Sequence, residues 1–177
     1  MDRFLEEVVT KRNRTMEEVL YYLSWALMIG CGVLAFFSLQ LMMVAFNLGT
    51  VIPTVLFIAI AVYMWFSHDK LRTEYEYTFT NGTMDFAMVY NNRKRKSLGA
   101  LNVAKVDAFG KVASGSFHRH TSSNDVKHLR WFLNRDAELY YFAFSKEGKK
   151  SVIVFEPSEE MVRYIKHYLP YGAHQEN

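Results

Sequence analysis

Three apolar patterns follow one another along the chain. In residues 2–18, Phe4, Leu5, Val8, Val9 and Met16 are interleaved with charge. That spacing predicts a short amphipathic helix, either lying on a membrane surface or extending the helix that follows. From Leu20 to Phe66 there is no Asp, Glu, Lys, Arg or His. This block is too long for one crossing of a bilayer, which takes roughly 20 residues. It is broken by Asn47-Leu-Gly-Thr50, so it predicts two spans over about 20–46 and 51–67. Pro53 falls in the first turn of the second span, where its missing N–H does no harm. The second span is short, so it is expected to borrow Thr50 and Ser67 or to thin the bilayer locally.

After residue 70 the period changes to two. In Thr73–Thr80, Tyr75, Tyr77 and Phe79 alternate with Glu74, Glu76 and Thr78, the mark of a half-buried strand. Asn81-Gly82 is a strong hairpin signal, since both positions accept positive φ. Residues 83–90 are the return strand, with Met84, Phe86, Met88 and Tyr90 on one face. Asn91-Asn92-Arg93-Lys94-Arg95 reads as a second turn, and 96–103 as a third strand. The stretch 110–125 is rich in Gly, Ser, His and Thr and predicts the longest loop. Strands follow at 126–133, 137–144 and 151–156. Pro157-Ser158-Glu159-Glu160 then opens a helix, with a capping serine and first-turn acids. Met161, Val162, Ile165, Tyr168 and Leu169 form its apolar stripe, and Pro170 ends it.

Charge orients the spans. Arg3, Lys11, Arg12 and Arg14 precede the first, Lys70 and Arg72 follow the second, and the link 47–52 has none. By the positive-inside rule both termini are expected in the cytoplasm of a multi-pass protein of the cell membrane. Tyr21, Tyr22 and Trp25, and Tyr63, Trp65 and Phe66, suit interfacial anchors. Of the 21 Lys and Arg residues, four lie in the first 18 positions, leaving 17 for residues 67–177, against 13 of the 18 acids. A signal peptide fits poorly, because the apolar stretch starts late and has no small-x-small cleavage site. The single cysteine, Cys31, sits within the first span and excludes an intramolecular disulfide. Beside it, Ala26, Gly30 and Gly32 are candidates for a close helix–helix contact.

The predicted order, strands then one closing helix, is that of a pleckstrin-homology-like domain. Two membrane helices followed by "YEYTFTNGTMDFAMVYNNRKRKSLGALNV" and later "YYFAFSKEGKKSVIVFEPSEEMVRYIKHYLP" resemble a family of small two-helix membrane proteins of Clostridia-type Gram-positive bacteria. That family is similar to the bacterial PH-like superfamily. The expected fold class is therefore an α+β membrane protein. A transmembrane hairpin leads into a PH-like β-sandwich or barrel of about seven antiparallel strands with a C-terminal helix. Its expected parts are an N-terminal segment 1–18, two helices within 19–67, a cytoplasmic PH-like domain 70–170 and a loose tail 171–177. The resemblance brings no activity and no site residue with it.

Arg93, Lys94, Arg95 and Lys96 are the candidate lipid- or partner-binding cluster. In PH domains that bind headgroups the basic site is commonly near the early hairpin loops, so the resemblance points the same way. A basic cluster beside an anionic leaflet gains roughly 1 kcal/mol per Lys or Arg. The plain alternative is a solvated turn whose charge discourages edge pairing. Nucleic acid is not expected as a partner, because the aromatics alternate as core residues rather than forming a stacking platform. His118 and His120 are weak metal candidates, sharing a face only if they lie on a strand. No nucleophile–base pair and no phosphate loop is visible. No cofactor and no catalysis are expected. The reading is an interaction module that binds a protein partner at the inner leaflet while anionic lipid orients it. The alternative is an accessory subunit of a larger membrane complex, recognised through its helices.

Overall fold

In a computed structural model, which describes residues 3–123 and 125–175, the apolar block forms two helices. Helix α1 spans Thr15–Val44 and α2 spans Leu48–Ser67. Both are long and apolar enough to cross a membrane. At 1.5 Å per residue α1 extends about 45 Å and α2 about 30 Å, the thickness of a hydrocarbon core. The break between them is also a cap. The Asn47 side chain accepts from the Thr50 amide at 3.2 Å, and the Asn47 amide donates to the Thr50 hydroxyl at 3.3 Å. A polar tetrapeptide that interrupts the apolar run thus satisfies the first amides of the next helix.

The helices pack through residues spaced alternately three and four apart. On α1 these are Ser24, Met28, Cys31, Ala35 and Ser38; on α2 they are Thr54, Phe57, Ala61 and Met64, all buried or half-buried. That period keeps one seam facing its partner along both helices. The seam hydroxyls return to their own helix: Ser24 to Tyr21 O at 2.7 Å, Ser38 to Ala35 O at 3.1 Å and Thr54 to Thr50 O at 2.7 Å. Ala26, Gly30 and Gly32, the candidates for a close helix–helix contact, are exposed in this hairpin. A Cβ added to either glycine meets no atom within 4 Å. They are small, but they lie off the seam's period.

Residues 3–12, 74–89, 94–123 and 125–175 form a separate compact unit. Its described residues make nine strands in two sheets, not one barrel of about seven. The first sheet has the order β1 (Phe4–Val9), β2 (Thr73–Thr80), β3 (Thr83–Tyr90), β4 (Lys94–Asn102). The second has the order β6 (Lys127–Trp131), β8 (Lys149–Phe155), β7 (Tyr140–Lys146), β5 (Ala108–Lys111), β9 (His174–Gln175). The sheets do not close into a barrel. Pairing is mostly antiparallel, but β6–β8 and β5–β9 are parallel. Asn81-Gly82, Asn91-Asn92 and Glu147-Gly148 each supply two consecutive residues with positive φ to a turn, the requirement of tight hairpins.

Three expectations change here. The segment expected as an amphipathic helix within 2–18 is a strand over Phe4–Val9, antiparallel to β2. Its Phe4-Leu5 and Val8-Val9 pairs fit both periods, and the open edge of β2 selects the extended one. Leu5 and Val9 then join the core. The expected loop at 110–125 contains α3, Gly115–Thr121. The tail expected to be loose enters the second sheet as β9: Ala173 is buried, its carbonyl accepts from Phe109 N at 2.8 Å, and β9 runs beside Gly110. Gln175 O lies 2.8 Å from where a Cβ on Gly110 would stand, so this approach needs glycine.

The core lies between the sheets. Tyr77, Phe79 and Phe86 of the first sheet meet Phe109, Phe142 and Phe155 of the second, and helix α4 (Glu159–Tyr168) packs Met161, Val162 and Ile165 against them. Ser158 caps α4 by accepting from Met161 N at 3.1 Å. The Tyr77 hydroxyl donates to Trp131 O and accepts from Glu156 N at 3.3 Å. Burial raises its pKa far above the ordinary phenol value. The second sheet is buried on its other face too, where Phe117 of α3 covers Tyr141, Val152 and Val154.

Candidate functional site at the base of the helix hairpin

Helix α2 runs into a 3₁₀ turn, His68–Leu71, and Arg72 follows it. The turn residues Tyr90–Arg93 belong to the same compact unit as the helices. Asn91 makes that attachment. Its amide donates to Arg72 O at 2.8 Å, and its Nδ2 donates to Asp69 Oδ1 at 2.8 Å and to the Tyr21 hydroxyl at 3.4 Å. Asn91 and Asn92 have φ of 48° and 52°, a left-handed conformation that Asn tolerates better than most side chains. The Arg72 guanidinium pairs with Glu18 of α1 and lies 3.8 Å from the centre of the Tyr21 ring. The hydrogen bond that Arg72 donates to Glu18 raises the Arg72 pKa. Around this base stand the rings of Tyr21, Trp25 and Trp65, whose centroids lie 5.8, 5.4 and 6.1 Å from that of His68.

The basic run begins at this point but does not act as one cluster. Arg93 lies in the turn, and its amide donates to Tyr90 O at 3.0 Å. Lys94, Arg95 and Lys96 open β4, and all four side chains are exposed. Arg95 is engaged within its own sheet, with Nη2 2.6 Å from Glu76 Oε2 and 3.9 Å from Glu6 Oε1. Burial raises the Glu76 pKa, and the charge of Arg95 opposes that rise. Side chains alternate along a strand, so Lys94 and Lys96 project opposite to Arg95.

His118 and His120 lie on α3, not on a strand. Residues two apart on a helix point in different directions, so the pair shares no face. Burial, then the nearby Arg119 charge, lowers the His120 pKa. Among the described residues no three His, Cys, Asp or Glu side chains are placed to hold a metal ion. A cavity of about 630 Å³ opens beside β1 and the start of α4. Three of its four carboxylates are engaged: Glu156 accepts from Asn134 Nδ2 at 2.9 Å, Glu7 accepts from Ser158 N at 3.0 Å, and Glu138 pairs with Lys111, while Glu159 stands in the first turn of α4. It is a joint between strands rather than an open set of ligands.

The sequence matches the family described as Bacterial PH-like domain (DUF6106) over residues 1–174. The chain belongs to that family. Comparison with curated proteins and with solved structures returns no match. The match takes in the two apolar helices and β1 as well as the strands after residue 70, so in this PH-like protein they are part of the family's pattern. Two sheets packed face to face and a terminal helix against their shared core fit that description.

Sequence reasoning reached the basic run but missed its attachment. Asn91, Asp69, Arg72, Glu18 and His68 are scattered over 74 positions, and no spacing rule connects them. The available signal was Asn91-Asn92 directly before a charge run, a turn built to bend tightly.

Proposed function

We propose that this PH-like protein is a membrane-anchored, non-catalytic interaction module. The two helices span the cell membrane with both termini in the cytoplasm, and the β unit binds a protein partner at the inner leaflet. Arg93, Lys94 and Lys96 meet anionic headgroups and orient that unit, while Arg95 serves its own sheet. The supporting observation is that Asn91 fastens the turn carrying Arg93 to the base of the helices. A cationic group held there by hydrogen bonds stands where leaflet charge is strongest. Because the helices already anchor the chain, lipid contact sets orientation and not recruitment.

The test uses the full chain in nanodiscs of neutral or anionic lipid, at low and physiological salt. Amide exchange over residues 90–98 is expected to slow in anionic lipid and to slow less at higher salt. In the triple variant Arg93→Ser, Lys94→Ser, Lys96→Ser the lipid dependence is expected to vanish. Equal exchange in both lipids for the unaltered chain refutes headgroup contact.

The accessory-subunit reading is favoured by one observation. Ala26 and Gly30, one turn apart on α1, face away from the hairpin's own seam, whereas Gly32 flanks it beside Ala61 and Trp65; small residues on an open helix face let another backbone approach in lipid. Replacing both helices by an unrelated hairpin separates the readings. Partner crosslinks that survive the exchange belong to the β unit; crosslinks that disappear belong to the helices.

A further inference from the structure

The second sheet carries opposite charge at its two ends. Strands β7 and β8 turn back at Glu147-Gly148, whose φ values are 52° and 77°. That turn sets Lys146 directly opposite Lys149, and Lys150 opposite Ser145. Lys127 of β6 stands beside Ser151. Side chains alternate along a strand, so Lys127, Lys146 and Lys149 share one face and Lys150 takes the other. All four are exposed, and among the described residues none forms an ion pair. Like charges directly opposite on paired strands destabilise the pairing. The acids at this end are Glu147 in the turn, Asp125 before β6, and Asp107, which accepts from Ser145 Oγ at 2.9 Å.

The other end is acidic. Strand β8 extends about 20 Å from Lys149 to Phe155 before it reaches Glu156. Glu138 precedes β7, and α4 opens with Glu159 and Glu160. Glu138, Glu156 and Glu159 line one cavity. Glu138 and Asp136 are paired with Lys111 and Arg12, Glu156 accepts from Asn134, and Arg135 stands in the loop between Asn134 and Asp136. Glu159 and Glu160 are exposed, and among the described residues they form no ion pair. Uncompensated lysines at one end of the sheet are thus matched by uncompensated glutamates at the other.

We infer that these two ends dock on each other in neighbouring copies of the chain: the lysine end of one β unit meets the Glu159–Glu160 end of the next. The contact is heterologous, so it builds a ring or an open row rather than a closed pair. A two-fold contact at either end would set like charge against like, whereas the head-to-tail contact is complementary and relieves the Lys146–Lys149 repulsion. An anionic lipid surface would neutralise the lysines but leave the glutamates without a partner. The inference rests on the reading of the β unit as an interaction module, and it names a second copy as the partner. It uses none of Arg93, Lys94 and Lys96, so its failure leaves headgroup contact untouched.

The test uses the full chain in vesicles of neutral phosphatidylcholine, which separates the result from any headgroup effect. A carbodiimide joins an ammonium to a carboxylate only where the two touch. In a mixture of isotopically light and heavy chains, light–heavy links are expected between the 146–150 segment and Glu159 or Glu160. They are expected at about 0.01 M salt and lost at about 1 M, as the screening length falls from about 30 Å to about 3 Å. Energy transfer between donor- and acceptor-labelled copies then tests the charges. Lys146→Glu, Lys149→Glu, Lys150→Glu together are expected to abolish the salt-sensitive transfer, and so are Glu159→Lys and Glu160→Lys together. Mixing the two variants is expected to restore it, because every contact again joins opposite charges. Mixed with the unaltered chain, the lysine variant still offers its own glutamates, and transfer in that mixture decides the matter where the glutamate variant fails to fold. Absence of links between the two ends, or transfer in the lysine variant alone equal to that of the unaltered chain, overturns the inference. Two folded variants that stay apart when mixed overturn it as well.

Discussion

The helical unit and the β unit are packed by opposite materials. Between the sheets the contacts are made by large rings: Tyr77, Phe79, Phe86, Phe109, Phe142 and Phe155, all buried to within about one per cent. Along the hairpin seam small and weakly polar groups, Ser24, Cys31, Ala35, Ser38 and Thr54, alternate with the half-buried Met28, Phe57 and Met64. Most large apolar side chains of α1 and α2 point outward, as Phe36, Phe37, Leu41 and Ile52 do. In water, burying an aromatic ring is itself the driving force. In lipid it gains nothing, because the tails are as apolar as the side chain, and close backbone approach takes its place. The contrast is the strongest structural reason to assign the two units to different solvents.

The largest effect should come from the ring core. Phe86 packs edge-on to Tyr77 and Phe155, with centroids 5.6 and 5.5 Å away. Phe86→Ala is expected to cost about 3–5 kcal/mol in chemical unfolding of the β unit, the usual range for a buried Phe. The matching truncation in the seam, Ser38→Ala, is expected to change hairpin stability by less than about 1 kcal/mol, because its hydroxyl serves only its own helix. Equal losses in the two units would remove the contrast.

Next in size is Asn134, the polar counterpart of the rings. It is 6% exposed. Its Oδ1 accepts from Arg12 N at 2.9 Å, and its Nδ2 donates to Thr10 O at 3.0 Å and to Glu156. Asn134→Ala strands several of these groups and is expected to cost about 1–3 kcal/mol. Loss of amide protection should concentrate at Arg12. Uniform loss across the β unit would assign Asn134 to general packing instead.

The seam has its own sharp test. Ala35 is buried between the helices, while Gly30 on the same helix faces open space. Ala35→Leu overpacks and is expected to destabilise the hairpin in bilayers by roughly 1–3 kcal/mol. Gly30→Leu should leave the isolated hairpin unchanged. If Gly30→Leu instead weakens assembly of the full chain with other proteins in its native membrane, the outward face is the recognition surface.

These contrasts also explain what the sequence disclosed. Period and turn chemistry are local, so β2, β3, the Asn81-Gly82 hairpin and the Ser158 cap were legible. Membrane-length apolarity was equally plain. The N-terminal strand was not, because Phe4, Leu5, Val8 and Val9 satisfy two periods and only the partner edge decides. Helix α3 hid behind Gly, Ser and Thr, whose weak helical preference is overridden by Phe117 docking on the second sheet. The basic run was visible, but its division was not: which of four cations serves the fold depends on Glu76 and Glu6, on strands far away in sequence.

Glu76 gives the smallest and most specific effect. Burial raises its folded-state pKa above the ordinary 4.5, and Arg95 recovers only part of that. A carboxyl that binds its proton more tightly when folded makes the native state richer in protons. Stability then falls as pH rises from near 4.5 through the raised folded value. Glu76→Gln abolishes that component, so the variant should lose less stability than the unaltered chain when pH is raised across this window. The variant also leaves Arg95 without its closest carboxylate, so the pH slope is the diagnostic and absolute stability is not. An unchanged slope would mean that Arg95 holds Glu76 ionised throughout, which makes the pair a net support of the sheet rather than a strain on it.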